Sequence, residues 1–543
     1  MTSSTAQTKW PLIFGALLLV CALIFYYFTV LRIDYARTPL LDLVPYTDAV
    51  EYFAQAEAMT QGGSPSIQIG FDKLPSRFPF GYPVLMVPWL KLLPASEAVL
   101  APFRTNQAIG LLLLLAVFAA YLFRGLPLSG GFAVTLLSTL PAFISLSRSS
   151  LSDIPGAALV ALSFMFVYFG LNDKKRWQIY LGAALLGAAC VIRTQLFFFA
   201  PFLLAMALFP EKGSIAVWFG HCFGVLLVFA IAVSPVFLVN YAWFHNPFRT
   251  GYDFWVPGIT HKFFSIHNIP KHIAMLWDET TARWQLFNEA NIFGTGTHFV
   301  APFVVLSFIG FVFLNMNRFT LCALLAAFSF LVSSATNIFA VCRYYLPILI
   351  LMIPLAVLAV DWATRMLLAR KQIPAACLIA GLFLLSCIGF PSQSGFKPVG
   401  GRSQAWDALH FSDRPHRSPR FLAQEWFIRL YGGQPGIVLS DIDPVYLNAL
   451  WPEPFVAAPL DGKHRYCYSK IWHYDRAQAL QVIERGLAKS LPVYALFVSQ
   501  KEMNEQQSRL PVVSGYQWNV LATSRNGALL NLARNGFQEK APP

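Results

Sequence analysis

Eleven apolar runs punctuate the chain, at roughly residues 10–31, 97–123, 128–147, 154–171, 178–192, 194–210, 214–240, 298–316, 319–341, 344–360 and 373–390. A helix rises about 1.5 Å per residue, so roughly 20 apolar residues cross the ~30 Å hydrocarbon core of a bilayer. No water reaches that core to satisfy backbone N–H and C=O groups, and helices are the way such runs meet the demand. The pattern predicts an all-α polytopic membrane bundle of about 11 transmembrane helices. Composition agrees, with 56% hydrophobic residues and only 12% charged, about half the charge of a soluble globule. The first run is too long for a removed signal peptide and lacks a small-residue cleavage site, so it reads as a retained span.

The formal net charge is +13. The basic residues are dispersed among apolar runs, which argues for positive-inside loops and against nucleic-acid binding. Placing Lys9 in the cytoplasm puts Arg124, Lys174, Lys175, Arg176, Lys212, Arg318, Arg365, Arg370 and Lys371 on the same side. The opposite connections hold mainly single arginines: Arg32, Arg37, Arg148, Arg193 and Arg343. This bias predicts a cytoplasmic N-terminus and an extracytoplasmic C-terminus. Six of the 8 cysteines lie within apolar runs, and no CxxC or finger-type spacing occurs, so no disulfide framework is argued.

After about residue 390 the composition turns polar, with balanced charge and no span. Residues 1–390 therefore read as the membrane domain and 391–543 as a soluble extracytoplasmic domain. Strand-like runs at Gly436–Leu439, Val493–Val498 and Ala528–Leu532, with helix-like pieces at 418–430 and 475–489, predict an α/β fold for the second.

The chemistry-bearing residues fall on the predicted outward side. Asp48 opens an amphipathic stretch, Asp48 to Met59, that Gly62-Gly63 ends, and Ser76-Arg77-Phe78-Pro79-Phe80-Gly81-Tyr82-Pro83 follows. Together with the short apolar piece Val84 to Leu93, this stretch reads as two helices lying flat at the interface. An ionisable side chain beside a bilayer is costly and suggests function, although a helix start alone would explain Asp48. Asp153, in Ser152-Asp153-Ile154-Pro155, is the second acid, and it too sits at a helix start. Arg193-Thr194-Gln195 interrupts an apolar hairpin, and Arg343-Tyr344-Tyr345-Leu346-Pro347 opens another span. An interfacial arginine often only snorkels, yet its planar fork suits phosphate oxygens. Arg77, Arg193 and Arg343 are thus candidates to cradle an anionic head group. The loop 241–297 carries Asn246-Pro247-Phe248-Arg249-Thr250-Gly251-Tyr252-Asp253 and His261, His267 and His272, whose spacing favours satisfied surface histidines over a metal site. No Walker loop, dinucleotide fingerprint or nucleophile elbow occurs.

These pieces, in this order, resemble the GT-C superfamily of membrane glycosyltransferases, in particular the bacterial relatives of protein O-mannosyltransferases and of the lipid A aminoarabinose transferase. The resemblance covers roughly residues 10–390 and is carried by Asp48…Tyr52…Ala56, Arg77 to Pro83, Ser152 to Pro155, Asn246-Pro247…Thr250-Gly251-Tyr252 and Arg343 to Pro347. It implies a glycosyltransferase that takes a sugar from a polyprenyl-phosphate donor at the outer face of a bacterial inner membrane. The acceptor would be a lipid, a glycan or a protein. Asp48 falls at the family's catalytic base and Asp153 at its second acid. Arg77, Arg193 and Arg343 would neutralise donor phosphate, with Tyr52, Tyr82, Tyr344 and Tyr345 lining the substrate. Where the protein mannosyltransferases carry a second acid directly after the base, this chain has Ala49. Carboxylates are available for a divalent metal, but the sequence offers no dedicated cage and requires none. A transporter or flippase of lipid-linked saccharides is the alternative. Against it stand the scarcity of mid-span charges and the lack of an inverted repeat.

Overall fold

The computed structural model describes residues 10–32, 47–208, 214–255, 264–273, 307, 309–311, 317–337, 342–370, 372–389, 419–431, 435–440, 444–450, 455–460, 476–525 and 527–536. The expected span 298–316 lies almost wholly outside these residues, as do His261 and the expected boundary at 390. The chain forms two compact units. One comprises Met1–Ile33, Phe103–Phe237 and Thr260–Phe411, and the other Asp34–Pro102, Leu238–Ile259 and Ser412–Pro543.

The first unit is a helical bundle. Trp10–Leu31, Ala95–Phe123, Asp153–Asp173, Ile215–Phe244 and Arg343–Leu368 are long and apolar enough to cross a membrane, and together with shorter apolar helices they make this a membrane protein. Pro127–Thr139 is buried along its whole length, as befits a helix that is apolar all round. Trp10–Tyr26 packs on one side of it and Leu346–Ala369 on another. The apolar run expected over 128–147 is broken at Leu140, because Pro141 cannot continue the backbone hydrogen bonding and starts a new short helix, Pro141–Ser147. Asp153–Asp173 and Arg176–Ile192 form an antiparallel hairpin that turns on Lys174 (φ 55°). Between Ile192 and the 3₁₀ turn Thr194–Phe199, Arg193 alone is extended, with φ −143°. A core of Phe164, Leu186, Phe199, Leu203 and Phe330 sits beside this turn, with the Phe199 and Phe330 rings stacked at 4.5 Å. Ile215, Phe219, Phe223, Ile231 and Leu238 are exposed on helix Ile215–Phe244, the apolar surface expected of a lipid-facing helix.

The loop that leads into Asp153 is fixed from within. Asn106, fully buried on helix Ala101–Phe123, donates from Nδ2 to the carbonyls of Ser149 (2.7 Å) and Leu151 (2.8 Å). One side-chain amide thus does for this loop what a backbone ladder does for a strand.

The second unit joins the first loop to the C-terminal domain. Helix Thr47–Thr60 is followed by a small hairpin, β1 (Ile67–Ile69) and β2 (Asp72–Leu74), and by helix Gly81–Leu92. The two-residue turn Gly70-Phe71 places Gly70 at φ +57°, where a side chain is strained. The C-terminal domain is a five-stranded sheet: β3 (Gly436–Ser440), β4 (Phe455–Pro459), β5 (Val493–Phe497), β6 (Tyr516–Ser524) and β7 (Gly527–Arg534), in spatial order β4-β3-β5-β7-β6. Strands β4, β3 and β5 are parallel, and β7 and β6 close the sheet antiparallel. The α/β fold and the strands expected at 436, 493 and 528 are observed. Helix Thr47–Thr60 departs from the amphipathic expectation, since Ala49 to Phe53 are all buried. Its polar face is not solvated because Glu51 carries its own cation, as described below.

Replacing Asn106 by Leu removes the donor from two buried carbonyls, each loss costing about 1–3 kcal/mol. The detergent-solubilised Asn106→Leu protein is expected to melt several degrees below wild type, and an unchanged melting curve would show that the loop does not depend on this amide.

Candidate active site

Two clusters of opposite charge emerge, one in each unit. In the second unit the centre is Glu51, one turn after Asp48 on helix Thr47–Thr60 and with no exposed surface. Its Oε2 accepts the Ser76 hydroxyl (2.7 Å) and the Arg77 backbone N–H (3.0 Å). Its Oε1 accepts Arg77 Nε at 2.8 Å and lies 2.7 Å from Nη2. Burial pushes the Glu51 carboxyl above the usual carboxylate range, against the opposing pull of Arg77 and Ser76. Asp48 Oδ1 stands 4.0 Å from Arg77 Nη2, and its side chain remains 27% exposed. One arginine therefore serves two acids, of which the inner is enclosed and the outer reachable.

Aromatic rings pack around this ion pair. The Arg77 guanidinium lies 5.0 Å from the Phe78 ring centre. Tyr52 contacts Phe78 at 5.0 Å and Tyr82 at 5.1 Å, and Phe78 meets Tyr252 edge-on at 5.5 Å. Tyr82 is fully buried and donates its hydroxyl to the Pro102 carbonyl. The motif around Gly251 closes on the same loop: a Cβ at 251 would lie 1.9 Å from the Ser76 carbonyl oxygen, and Trp255 Nε1 donates to the Pro75 carbonyl at 2.6 Å. Thr250 and Asp253 cap each other across this turn, Thr250 Oγ1 donating to Asp253 Oδ2 at 2.7 Å. Two motifs about 170 residues apart in sequence thus form one structure.

In the bundle unit, Asp153 begins helix Asp153–Asp173 and is 3% exposed. Arg193 Nη1 hydrogen-bonds to its Oδ1, and Arg343 Nη1 lies 3.9 Å from its Oδ2. Arg193 Nη2 also donates to Gln195 Oε1 at 3.2 Å. The Tyr344 ring sits near both guanidinium groups, 5.7 Å from Arg193 and 5.4 Å from Arg343. Tyr345 is buried, its hydroxyl 2.7 Å from His272 Nδ1. His272 Nε2 lies 2.7 Å from the Asn337 carbonyl. A carbonyl only accepts, so the His272 proton is on Nε2 and Tyr345 donates to Nδ1. Burial pushes the His272 imidazole below its ordinary range. It is a buried histidine rather than the surface one expected, and it steadies the segment that carries Arg343.

The candidate residues therefore come together as Asp48, Arg77, Tyr52 and Tyr82 in one cluster and Asp153, Arg193, Arg343 and Tyr344 in the other. Sequence reasoning missed Glu51, Ser76 and His272. The spacing of Asp48 and Glu51, three apart on a helix, was the available signal, because it places both on one face. Among the described residues, no group of three or more His, Cys, Asp or Glu side chains is placed to hold a metal ion.

With this geometry established, comparison with solved structures identifies the fold. The chain matches the crystal structure of ArnT from Cupriavidus metallidurans bound to undecaprenyl phosphate, with a TM-score of 0.60 and 12% identity over 97% of this chain and 98% of that one. It matches the apo state of the same protein with a TM-score of 0.55 and 14% identity, at the same coverage. No family model and no curated protein matches the sequence. The GT-C fold expected from the resemblance is the fold observed.

Burial alone pushes Glu57, on the same helix as Asp48, up to about 8 from an ordinary 4.5. The folded protein thus holds a proton that the unfolded chain releases. The resulting stability is fully present below about pH 4.5 and is lost as pH rises toward 8. Glu57→Gln is expected to raise Tm by about 2–4 °C at pH 8 and to match wild type at pH 4.5. Equal melting at pH 8 would show that the carboxyl is not held neutral.

Proposed function

We propose that this GT-C-fold protein is a glycosyltransferase that moves a sugar from a polyprenyl-phosphate donor to a lipid, glycan or protein acceptor. The observation that carries the reading is the division of labour between two neighbouring carboxylates. Glu51 is enclosed and committed to Ser76 and Arg77, whereas Asp48 stands 4.0 Å from the same guanidinium and keeps 27% of its side chain exposed. A general base must reach its proton and give it up again, and of these two acids Asp48 meets that requirement. Asp48 takes the proton of the acceptor nucleophile as it attacks the anomeric carbon. Direct displacement inverts that carbon, and polyprenyl phosphate departs with the bonding electrons.

A leaving phosphate needs cationic stabilisation, and the bundle cluster, taken by itself, is of the kind that could hold one. Asp153 stands between the guanidinium groups of Arg193 and Arg343. Asp153 also holds the forks in place, so little reorganisation is needed as charge develops on the phosphate. Tyr344 offers a flat face beside both guanidinium groups. Arg77 has its fork on Glu51 and serves to set the two acids rather than to bind phosphate. The relative described above is seen with undecaprenyl phosphate, which supports this donor class. The arginine distribution favours a cytoplasmic N-terminus, an outward C-terminal domain and an inner-membrane location.

Two substitutions test the reading with purified protein and undecaprenyl-phosphate-linked hexoses and pentoses. Asp48→Asn is expected to lower kcat by about 10²–10⁴ with folding intact; wild-type turnover in a folded variant would remove Asp48 as the base. Arg343→Gln is expected to weaken the use of donor by roughly ten-fold or more in kcat/KM, the scale of one charged hydrogen bond. No change there would take the phosphate away from this cluster.

A further inference from the structure

The hairpin that links Asp48 and Glu51 to Arg77 is tied to the edge of the C-terminal sheet. We propose that the C-terminal domain is a clamp that sets the geometry of the Glu51–Arg77–Asp48 cluster, with Asn448 as its positioning residue. The consequence for turnover rests on the transferase reading; the clamp itself does not.

Strand β4 is an outer strand of the sheet, and on its inner side Ala457 pairs with Val438 of β3. The other side of such a strand presents backbone groups that would otherwise invite another strand. Here the Ala457 N–H donates to Asn448 Oδ1 at 2.8 Å, and Asn448 Nδ2 donates back to the Ala457 carbonyl at 3.1 Å. The side-chain amide imitates the donor–acceptor pair of a neighbouring strand. Fixed in that way, Nδ2 also donates to the carbonyl of Gln68 in β1 at 2.8 Å, and the Gly70 N–H at the hairpin turn donates to the Ala457 carbonyl at 2.8 Å. These bonds join backbone to sheet edge and therefore fix register, which side-chain packing alone would not do.

The remaining contacts point the same way. Helix Pro444–Leu450, which carries Asn448, packs against helix Thr47–Thr60 and against β1. At the rim, Arg485 Nη1 lies 3.1 Å from Asp72 Oδ1, and the Lys489 ammonium lies 4.6 Å from the Phe71 ring centre. Beyond Leu74, only Pro75 and Ser76 separate the hairpin from Arg77. A shift of β1 and β2 would thus be felt directly at the donors that hold Glu51.

Asn448→Asp in the full-length protein tests this. The substitution keeps one oxygen for the Ala457 N–H and turns the other, now an acceptor, against two carbonyls. Hydrogen exchange of amides 66–78 is expected to quicken about ten-fold, the scale of one hydrogen bond, while β3 and β5 keep their protection. With the undecaprenyl-phosphate-linked sugar that wild type uses, kcat is expected to fall about ten-fold with donor KM within about two-fold, the signature of misplaced groups rather than lost binding. Unchanged exchange at 66–78 overturns the clamp, and quickened exchange with unchanged kcat overturns the positioning role. If β3 and β5 also lose protection, Arg485→Glu decides. This exposed change is expected to quicken hairpin exchange about two- to five-fold, with recovery in the Asp72→Arg, Arg485→Glu exchange, and no effect counts against the clamp. If wild type transfers no sugar, the transferase reading fails, while the exchange contrast still decides the clamp.

Discussion

Glu51 has no exposed surface, and a carboxylate removed from water is destabilising by several kcal/mol unless a cation and hydrogen-bond donors replace its hydration. Much of the local sequence follows from meeting that requirement. Ser76 supplies a hydroxyl small enough to fit beside a backbone N–H, and Arg77 supplies both that N–H and the guanidinium. The loop must present these donors on one side, so its outer side is open to close approach, and Gly251 presses against the Ser76 carbonyl with no room for a Cβ. Phe78 and Tyr52 exclude water from the pair, which strengthens it. Asp48 stands 4.0 Å from the outer edge of the same guanidinium. The inner acid fixes the cation, and the outer one keeps part of its side chain exposed.

The bundle cluster solves the converse problem. Two arginines in a low-dielectric setting repel one another, and Asp153 between them relieves the repulsion without cancelling it. Asn106 anchors the preceding loop through backbone carbonyls, so the position of Asp153 does not depend on its own ion pairs alone. A pair of acids on one arginine and a pair of arginines on one acid are converse electrostatic arrangements.

The bundle was legible because spanning a bilayer leaves helices few alternatives, and the apolar runs within the described residues correspond to observed helices. The break at Leu140, inside the run expected over 128–147, is set by Pro141 and is not registered by hydropathy, whereas the break at Arg193 already divided two runs in the sequence. In the C-terminal domain the buried strands β3, β5 and β7 stood out as continuous apolar runs. The outer strands did not: β4 ends in Pro459, and β6 mixes exposed and half-buried positions along Tyr516 to Ser524. Asp48, Asp153 and the arginines could be picked out because charge beside a membrane span is conspicuous. Glu51 had only its spacing from Asp48 to mark it, since an acid on a mixed helix resembles a solvated residue until Arg77, 26 positions away, is folded onto it.

The molecule therefore contains two kinds of position. Lipid-facing residues such as Ile215, Phe219 and Phe223 need only be apolar, so a bundle can keep its fold through extensive sequence change. The residues that bond to backbone are different: Asn106 reads two carbonyls, Asn448 reads Gln68 and Ala457, and Gly251 reads the Ser76 carbonyl by having no side chain. Each fixes where a loop lies rather than what it does. With the loops fixed in this way, accessible side chains beside them can vary without disturbing the scaffold. Fixing loops through side chains that bond to backbone is how a fold dominated by non-specific apolar packing can hold a few positions to a defined geometry.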